Sequence, residues 1–331
     1  MKKQNIVIFG GGTGLSNILR GLIKFNDPSL ITAVPSAWDD GGSSGRLRDE
    51  MGALPPGDIR QCLLSCMEDP DQKAVAQKLF DDRLADFAGP FKGHSVGNLV
   101  TARLEKLFQG QDRGIDAARA LFRIRTKILP ATLTELRLIA KTQAGIEIKG
   151  ETNIDNRRTR EDFDPTDPIV RIYFNTQARA NPAVLKDIKA ADKIVFSAGD
   201  LYTSVLPHLL IEGVKETIAK SDAKIILILN LMTKRGETDF YKASDHLDRF
   251  IDYIDDPDRI GFLIASNNRL DEKIRKIYEG EGQDYVEIDE KKCLSISPKI
   301  KVIKKPLAKY YPNAHLLRHD PDLLAETILF L

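Results

Sequence analysis

NIVIFGGGTGLSNILRGLI, residues 5–23, reads as a strand, a turn and a helix in succession. Asn5–Phe9 is a short apolar run bounded by glycine, which suits a strand buried on both faces. Leu15, Ile18, Leu19, Leu22 and Ile23 then return at helical spacing. A glycine turn that ends a strand and opens a helix leaves free N–H groups and a positive dipole end at the carboxyl edge of a sheet. That placement predicts phosphate contact through Gly11, Gly12, Thr13 and Gly14. The dinucleotide fingerprint G-x-G-x-x-G is not met, because Leu15 stands where its third glycine belongs. No Gly-Lys-Ser/Thr follows to make a Walker loop. A tight turn with no ligand is the plainer alternative.

A second short strand, Leu30–Val34, leads into DDGGSSGRLRDEMGALPPGDIR, residues 39–60. We read this stretch as a ligand loop. Gly41 and Gly42 let backbone N–H groups turn towards an anion, and Ser43 and Ser44 add hydroxyl donors. Arg46 and Arg60 supply forks suited to phosphate oxygens. Asp58, after a Pro-Pro-Gly turn, can cap the following helix. Asp39 and Asp40 either accept from ribose hydroxyls or hold a hard cation.

Helical patterns follow at about Asp58–Met67 and Gln72–Asp86. Gly93-His94-Ser95-Val96-Gly97-Asn98 then opens another helix, running through Leu107. Its spacing lacks the nucleophile elbow G-x-S-x-G, so Asn98, turned towards a ligand, is the better candidate than Ser95. His94 could equally be a satisfied buried histidine. From 128 to 176 the rhythm changes to short alternating runs such as Leu136–Lys141 and Ile146–Ile148, a β-rich insertion. Its cluster Arg157-Arg158-Thr159-Arg160 suits a solvated face.

The α/β alternation resumes with a helix at Pro182–Ala190 and a strand at Lys193–Phe196. Gly199, Leu201, Tyr202 and Thr203 then form a second anion cradle, from which one helix carries Val205, Leu209, Val214 and Ile218. N-capping by Thr203 or Ser204 would need no ligand. Asn230 ends the strand Ile225–Leu229, and another strand, Ile260–Ala265, is followed by a helix reaching Tyr278. Tyr278 could stack on a base, and Arg318, before a terminal helix, could clamp a phosphate. Loops converging on one sheet edge are what a topological switch-point site requires.

The chain has 331 residues, enough for one large α/β domain with a full core. Lys+Arg 49 against Asp+Glu 48 leaves no basic field, so nothing calls for nucleic acid. Cys62 and Cys66 fall four apart in a helical pattern and read as small buried residues. The start carries no apolar leader, and no run is long enough to span a bilayer. These features predict a soluble protein of a reducing, cytoplasmic compartment.

GGGTGLSNILRGL, DDGGSSGRLRDE, PPGDIRQCL, GHSVGN, GDLYTS, NLMTKRGET and RHDP occur in an order that resembles the CofD-like family. Most closely they resemble its YvcK, or gluconeogenesis-factor, branch. The resemblance implies one CofD-like nucleotide-binding domain over 1–331, an α/β Rossmann-like three-layer sandwich with a mostly parallel sheet. It implies a nucleotide ligand, UDP-N-acetylglucosamine or an NAD-like dinucleotide, with Tyr278 and Arg318 at positions similar to the branch's nucleotide-sugar contacts. It also implies links to gluconeogenic growth, cell shape and peptidoglycan precursor supply, and leaves room for a homodimer and for protein partners in envelope synthesis. The other branch is 2-phospho-L-lactate transferase, a magnesium-dependent enzyme, in which reading Asp39 and Asp40 would hold the metal. Ser197-Ala198-Gly199-Asp200 departs from the family's Gly-Pro-Gly-Ser. No nucleophile–base pair can be assembled from the residues, which favours a ligand-binding regulator over a transferase.

Overall fold

Ile6 and Ile8 turn to one face of the first strand and Val7 and Phe9 to the other, and all four are buried. A strand apolar on both sides must be covered on both sides, which is the condition of a parallel sheet between two helical layers. A computed structural model describes residues 3–331. Its strands are β1 (Ile6–Gly10), β2 (Ile31–Pro35), β3 (Lys127–Ile128), β4 (Leu138–Thr142), β5 (Glu147–Lys149) and β6 (Ile169–Phe174). Then come β7 (Lys193–Phe196), β8 (Lys224–Ile228), β9 (Ile260–Ser266), β10 (Lys301–Lys305), β11 (Ala308–Tyr311) and β12 (Leu316–His319). The main sheet runs β10-β9-β8-β7-β1-β2-β3, with every neighbouring pair parallel. Its order reverses between β1 and β7, where a doubly wound sheet opens a crevice at the strands' carboxyl ends.

The helices of the first half are α1 (Gly12–Phe25), α2 (Gly42–Met51), α3 (Gly57–Cys66), α4 (Pro70–Asp81), α5 (Val96–Leu107), α6 (Gln111–Leu121) and α7 (Glu151–Asp155). The second half adds α8 (Pro182–Ala190), α9 (Val214–Ala219), α10 (Ala243–Ile254), α11 (Glu272–Gly280), α12 (Glu290–Ile296) and α13 (Pro321–Phe330). On one face, Leu15, Ile18 and Leu22 of α1, Ile59 and Leu63 of α3, and Leu324 and Ile328 of α13 cover Ile6, Ile8 and Val195. On the other, Val184 and Ile188 of α8, Ile218 of α9, and Leu247 and Phe250 of α10 cover Val7, Phe9 and Phe196. Each such side chain contributes about 1.5–3 kcal/mol by leaving water.

The strands β5, β4 and β6 form a separate antiparallel sheet within 128–176. Thus β6 does not return to the main sheet. Trp38 fastens this small sheet down: fully buried, it lies 5.4 Å from Phe174, ring to ring, and its indole Nε1–H donates to the Thr203 carbonyl (2.7 Å). The arginine cluster is not simply a solvated face either. Arg157 is buried and donates to the carbonyls of Gly236 and Asp167.

Three other expectations change. The stretch 39–60 is largely helical: Gly45 lies so close to Asp40 that a Cβ would stand 2.1 Å from its carbonyl oxygen, and Leu47 packs with Ala53 and Ala102. Asp58 does not cap α3; Pro56 holds that place and Asp58 sits in the first turn. The single helix expected after Thr203 is broken into a π-type turn (Leu201–Val205), a 3₁₀ turn (Leu206–Leu210) and α9. Pro207 lacks the N–H that a continuing helix needs, and Gly213 at φ +95° reverses the chain.

Helix α13 is seated on α1 by a glycine. At Gly21 a Cβ would stand 1.9 Å from the carbonyl oxygen of Pro321. The other end of α13 is held by the buried Lys193, whose Nζ donates to the carbonyls of Ile328 (2.6 Å) and Leu329 (3.0 Å). A cation at the last turn of a helix satisfies orphan carbonyls and suits the dipole. Replacing Gly21 with Ala should therefore lower the urea midpoint by about 1–3 kcal/mol of stability with the m-value unchanged. That loss would override the roughly 1 kcal/mol that Ala adds at an exposed helical position. A midpoint at or above the parent's would mean that α13 does not sit on α1 in solution.

Candidate functional site

The turn after β1 and the turn after β7 meet across the sheet's switch point. Gly14 lies against the second turn so closely that a Cβ would be 1.6 Å from the Ala198 carbonyl oxygen. Gly12, at φ +52°, has nothing within 4 Å of where its Cβ would stand, so its backbone faces open space. The cleft above these turns measures about 450 Å³, within the usual range for a small-molecule site.

Of the residues singled out in the sequence, Gly11, Gly12, Thr13, Gly14, Asp39, Asp58, Gly199, Thr203, Asn230, Tyr278 and Arg318 line this cleft. The others are not in its lining. Asp40 accepts from the Thr152 N–H (2.8 Å) and so ties α7 to the main domain. Gly41 and Gly42 begin α2 behind Asp39, and the Gly41 N–H donates to the Asp39 carboxylate (2.8 Å). Ser43 Oγ pairs with His94 Nδ1 (3.1 Å), and Asn98 donates to Ser44 Oγ (3.4 Å), so Asn98 faces the scaffold and not the cleft. Ser95 caps α5 and donates to the Phe80 carbonyl. Arg46 spans back to the Lys92 carbonyl. Arg60 is buried in an ion pair with Asp81. Leu201 and Tyr202 are core: the Tyr202 hydroxyl contacts the Ile169 carbonyl (2.9 Å) and the Tyr241 hydroxyl (2.8 Å).

The helix dipole that a phosphate would use is already met in part by a carboxylate. The Gly12 N–H donates to Asp58 Oδ1 (2.9 Å). Burial, and then the charge of Asp39, push the Asp58 carboxyl up to about 7. Asp39 is likewise raised, chiefly by burial.

Glu151, Asp155 and Asp200 also line the cleft, and of these the sequence marks only Asp200, as a departure from the family pattern. Glu151 and Asp155 stand one turn apart on α7, so both project from one face. Glu151 is pushed up to about 9 by burial and by Asp39, Asp155, Asp58 and Glu237. Asp155, Asp200 and Glu237 bring carboxylate oxygens within 4.8 Å of one another. Lys234 sits among them, 2.7 Å from Asp155 and 3.4 Å from Asp200. Burial raises Asp200 and Glu237 as well. Glu237 also accepts from the Tyr202 N–H (3.1 Å), which shapes the turn after β7. Asp39, Asp58, Glu151, Asp155 and Asp200 thus face the cleft against Lys234 and Arg318.

A buried carboxyl whose folded pKa is raised favours folding while protonated, and that support is lost as pH climbs from the unfolded value towards the folded one. For Asp58 the window runs from the ordinary 3.8 to about 7. Stability should therefore fall between pH 5 and pH 7, and Asp58→Asn, which keeps the acceptor for Gly12, should remove about 1–2 kcal/mol of that fall. Urea midpoints at the two pH values measure it; an identical slope in the variant would show that Asp58 ionises normally.

Comparison with known proteins agrees with this architecture. Residues 6–308 match the family model described as 2-phospho-L-lactate transferase CofD. A putative gluconeogenesis factor of Thermotoga maritima is 37% identical over 98% of both chains. The gluconeogenesis factor of Bacillus subtilis is 32% identical over 100% of this chain and 98% of its own. A crystal structure of a Bacillus halodurans protein superposes with a TM-score of 0.89 at 34% identity, covering 99% of this chain and 100% of the other. Among the described residues no helix is long and apolar enough to cross a membrane. With the switch-point cleft and this full-length similarity in hand, the chain belongs to the CofD family, among its gluconeogenesis factors.

Proposed function

We propose that this protein is a nucleotide-binding regulator whose cleft takes a UDP-sugar such as UDP-N-acetylglucosamine, or an NAD-like dinucleotide. The observation that carries the reading is the contact of two glycine turns at the switch point, both of which line one cleft beside the N-terminus of α1. Carboxylates beside them suit the hydroxyls of a sugar. Occupancy would then alter binding to protein partners, in carbon metabolism as the relatives' name has it, and in envelope precursor supply and cell shape as the wider resemblance suggests. A homodimer is compatible with this role.

Electrostatics adds a condition. Each ionised carboxylate within about 4 Å of a phosphate charge would cost about 4 kcal/mol at an effective dielectric near 20. Several such groups face this cleft, so a diphosphate enters either against protonated carboxyls or together with a divalent cation. Asp155, Asp200 and Glu237 offer a hard-cation donor set once Lys234, which lies 2.7 Å from Asp155 and 3.4 Å from Asp200, gives way; Asp39 lies in the same cleft, whereas Asp40 is engaged by Thr152. In this reading magnesium is held by that set and not by Asp39 with Asp40.

The same carboxylates favour a second reading, a magnesium-dependent transfer of a phosphate-linked group. Perturbed acids gathered in a cleft are a common mark of catalysis, and the family model bears a transferase's name. Positioning and charge neutralisation would supply most of such a rate.

Calorimetry with UDP-N-acetylglucosamine, UDP-glucose and NAD decides the first reading. At least one should bind, about tenfold more tightly with magnesium than with EDTA, and Asp200→Asn should shrink that magnesium effect. Absence of binding by all three at millimolar concentration, with magnesium present, would reject it. Steady turnover of a nucleoside-diphosphate donor, lost in Asp200→Asn, would shift the assignment to the transferase.

A further inference from the structure

The cleft's lining is of two chemical kinds. Acidic groups gather at Asp39, Glu151, Asp155 and Asp200, whereas Ile18, Tyr278, Leu317, His319 and Leu324 also line it, with Asn17 and Arg318 beside them. The latter residues are held together by their own contacts. The Asn17 side-chain N–H donates to the His319 carbonyl (2.7 Å), and the Leu317 N–H donates to the Tyr278 hydroxyl (2.6 Å). His319 is also fixed through its strand, opposite Ala308. Its ring is therefore positioned by backbone and not by a surface rotamer.

His319 is 6% exposed, and among the described residues its buried Nε2 has no hydrogen-bond partner. A buried polar atom left unpaired is costly, and because His319 belongs to the cleft's lining, a ligand there can bring the missing partner. Burial pushes the imidazole down to about 4, so at neutral pH it is uncharged and carries one N–H and one lone pair. A neutral ring has little to offer a phosphate, for which the guanidinium of the neighbouring Arg318 is the better partner. Sugar hydroxyls find better acceptors among the carboxylates. What fits is a flat heterocycle with apolar faces and a hydrogen-bonding edge.

We propose that His319 reads the edge of the nucleobase, and is thereby a specificity-determining residue of the nucleotide site. The assignment rests on the nucleotide reading above. It divides the cleft: base against Ile18, Leu317 and Leu324, phosphates over the glycine turns, and the remaining hydroxyl-bearing group towards the acids.

The test titrates the full chain with UDP, GDP, ADP and inorganic pyrophosphate, each with magnesium, and compares His319→Leu and His319→Gln. The unsubstituted protein should prefer one base by about tenfold or more. His319→Leu should weaken that nucleotide about ten- to a hundredfold and erase the preference, leaving pyrophosphate nearly unchanged. His319→Gln, which keeps a donor and an acceptor, should restore part of the loss. Equal weakening of nucleotide and pyrophosphate would mark His319 as structural and overturn the assignment, as would a base preference that survives both substitutions or is absent from the start. Should neither variant fold, ¹⁵N-histidine spectra of the unsubstituted protein decide: the His319 ring nitrogens should shift with the nucleotide and not with pyrophosphate, and unmoved resonances overturn it. Failure of all four probes to bind would remove the nucleotide reading itself, whereas nucleotide binding indifferent to His319 removes only this one.

Discussion

Gly14 has no side chain, and the Ala198 carbonyl occupies the place where one would stand. Parallel pairing of β1 with β7 brings the two strand ends level, but it does not by itself let their turns touch. The missing Cβ does. Once the turns meet, Asp58 can reach the first helix from below, and the indole of Trp38 can hold the second turn at Thr203. The small antiparallel sheet then follows Trp38 through Phe174 and brings α7 to the rim with Glu151 and Asp155. One absent methyl group thus stands behind a cleft assembled from segments far apart in the chain.

The cleft combines two opposed electrostatic features. Helix N-termini draw anions, yet several of the side chains around them are acids. Burial resolves part of the conflict by favouring the protonated forms of Asp58 and Glu151. Lys234 resolves another part by lying between Asp155 and Asp200. The site is consequently poised: bringing in a proton, a cation or a hydroxyl-rich ligand each relieves the same strain between like charges. Arg46 and Arg60, which on paper balance the acids, are directed instead to the Lys92 carbonyl and to Asp81.

Much of the frame was legible because its determinants are local. The β1–turn–α1 unit, the strands Lys193–Phe196 and Ile260–Ala265 (the latter ending one residue later in the structure), and the helix at Pro182–Ala190 all announce themselves through periodicity and breakers. The glycine turns could be placed in the cleft for the same reason. Side-chain direction was not legible. Nothing in DDGGSSGR says that Asp39 faces the cleft while Asp40 is taken by an amide from residue 152, because that partner lies over a hundred residues away. Tyr202 and Asn98 look like ligand contacts in one dimension and prove to be packing and scaffold in three. Glu151 and Asp155 carried a readable signal, two carboxylates at i and i+4, but it lay in a β-rich stretch that offered no reason to look for a site. Asp200 stood out as a departure from its family's pattern, and the structure supplies the company that gives the departure chemical meaning.

The seating of α13 on α1 bears on how the chain acquires its shape. The two helices are adjacent in space, with Gly21 against Pro321, yet some three hundred residues separate them along the polypeptide. Until the later segment arrives, Leu15, Ile18 and Leu22 lack part of their cover, and the layer that supports the glycine turns stays unfinished. Contacts this distant in sequence slow folding and prolong the exposure of sticky intermediates. During synthesis the first strand–turn–helix must wait, half wrapped, for a neighbour made some three hundred residues later, and that interval is where this architecture is most open to chaperones and to aggregation.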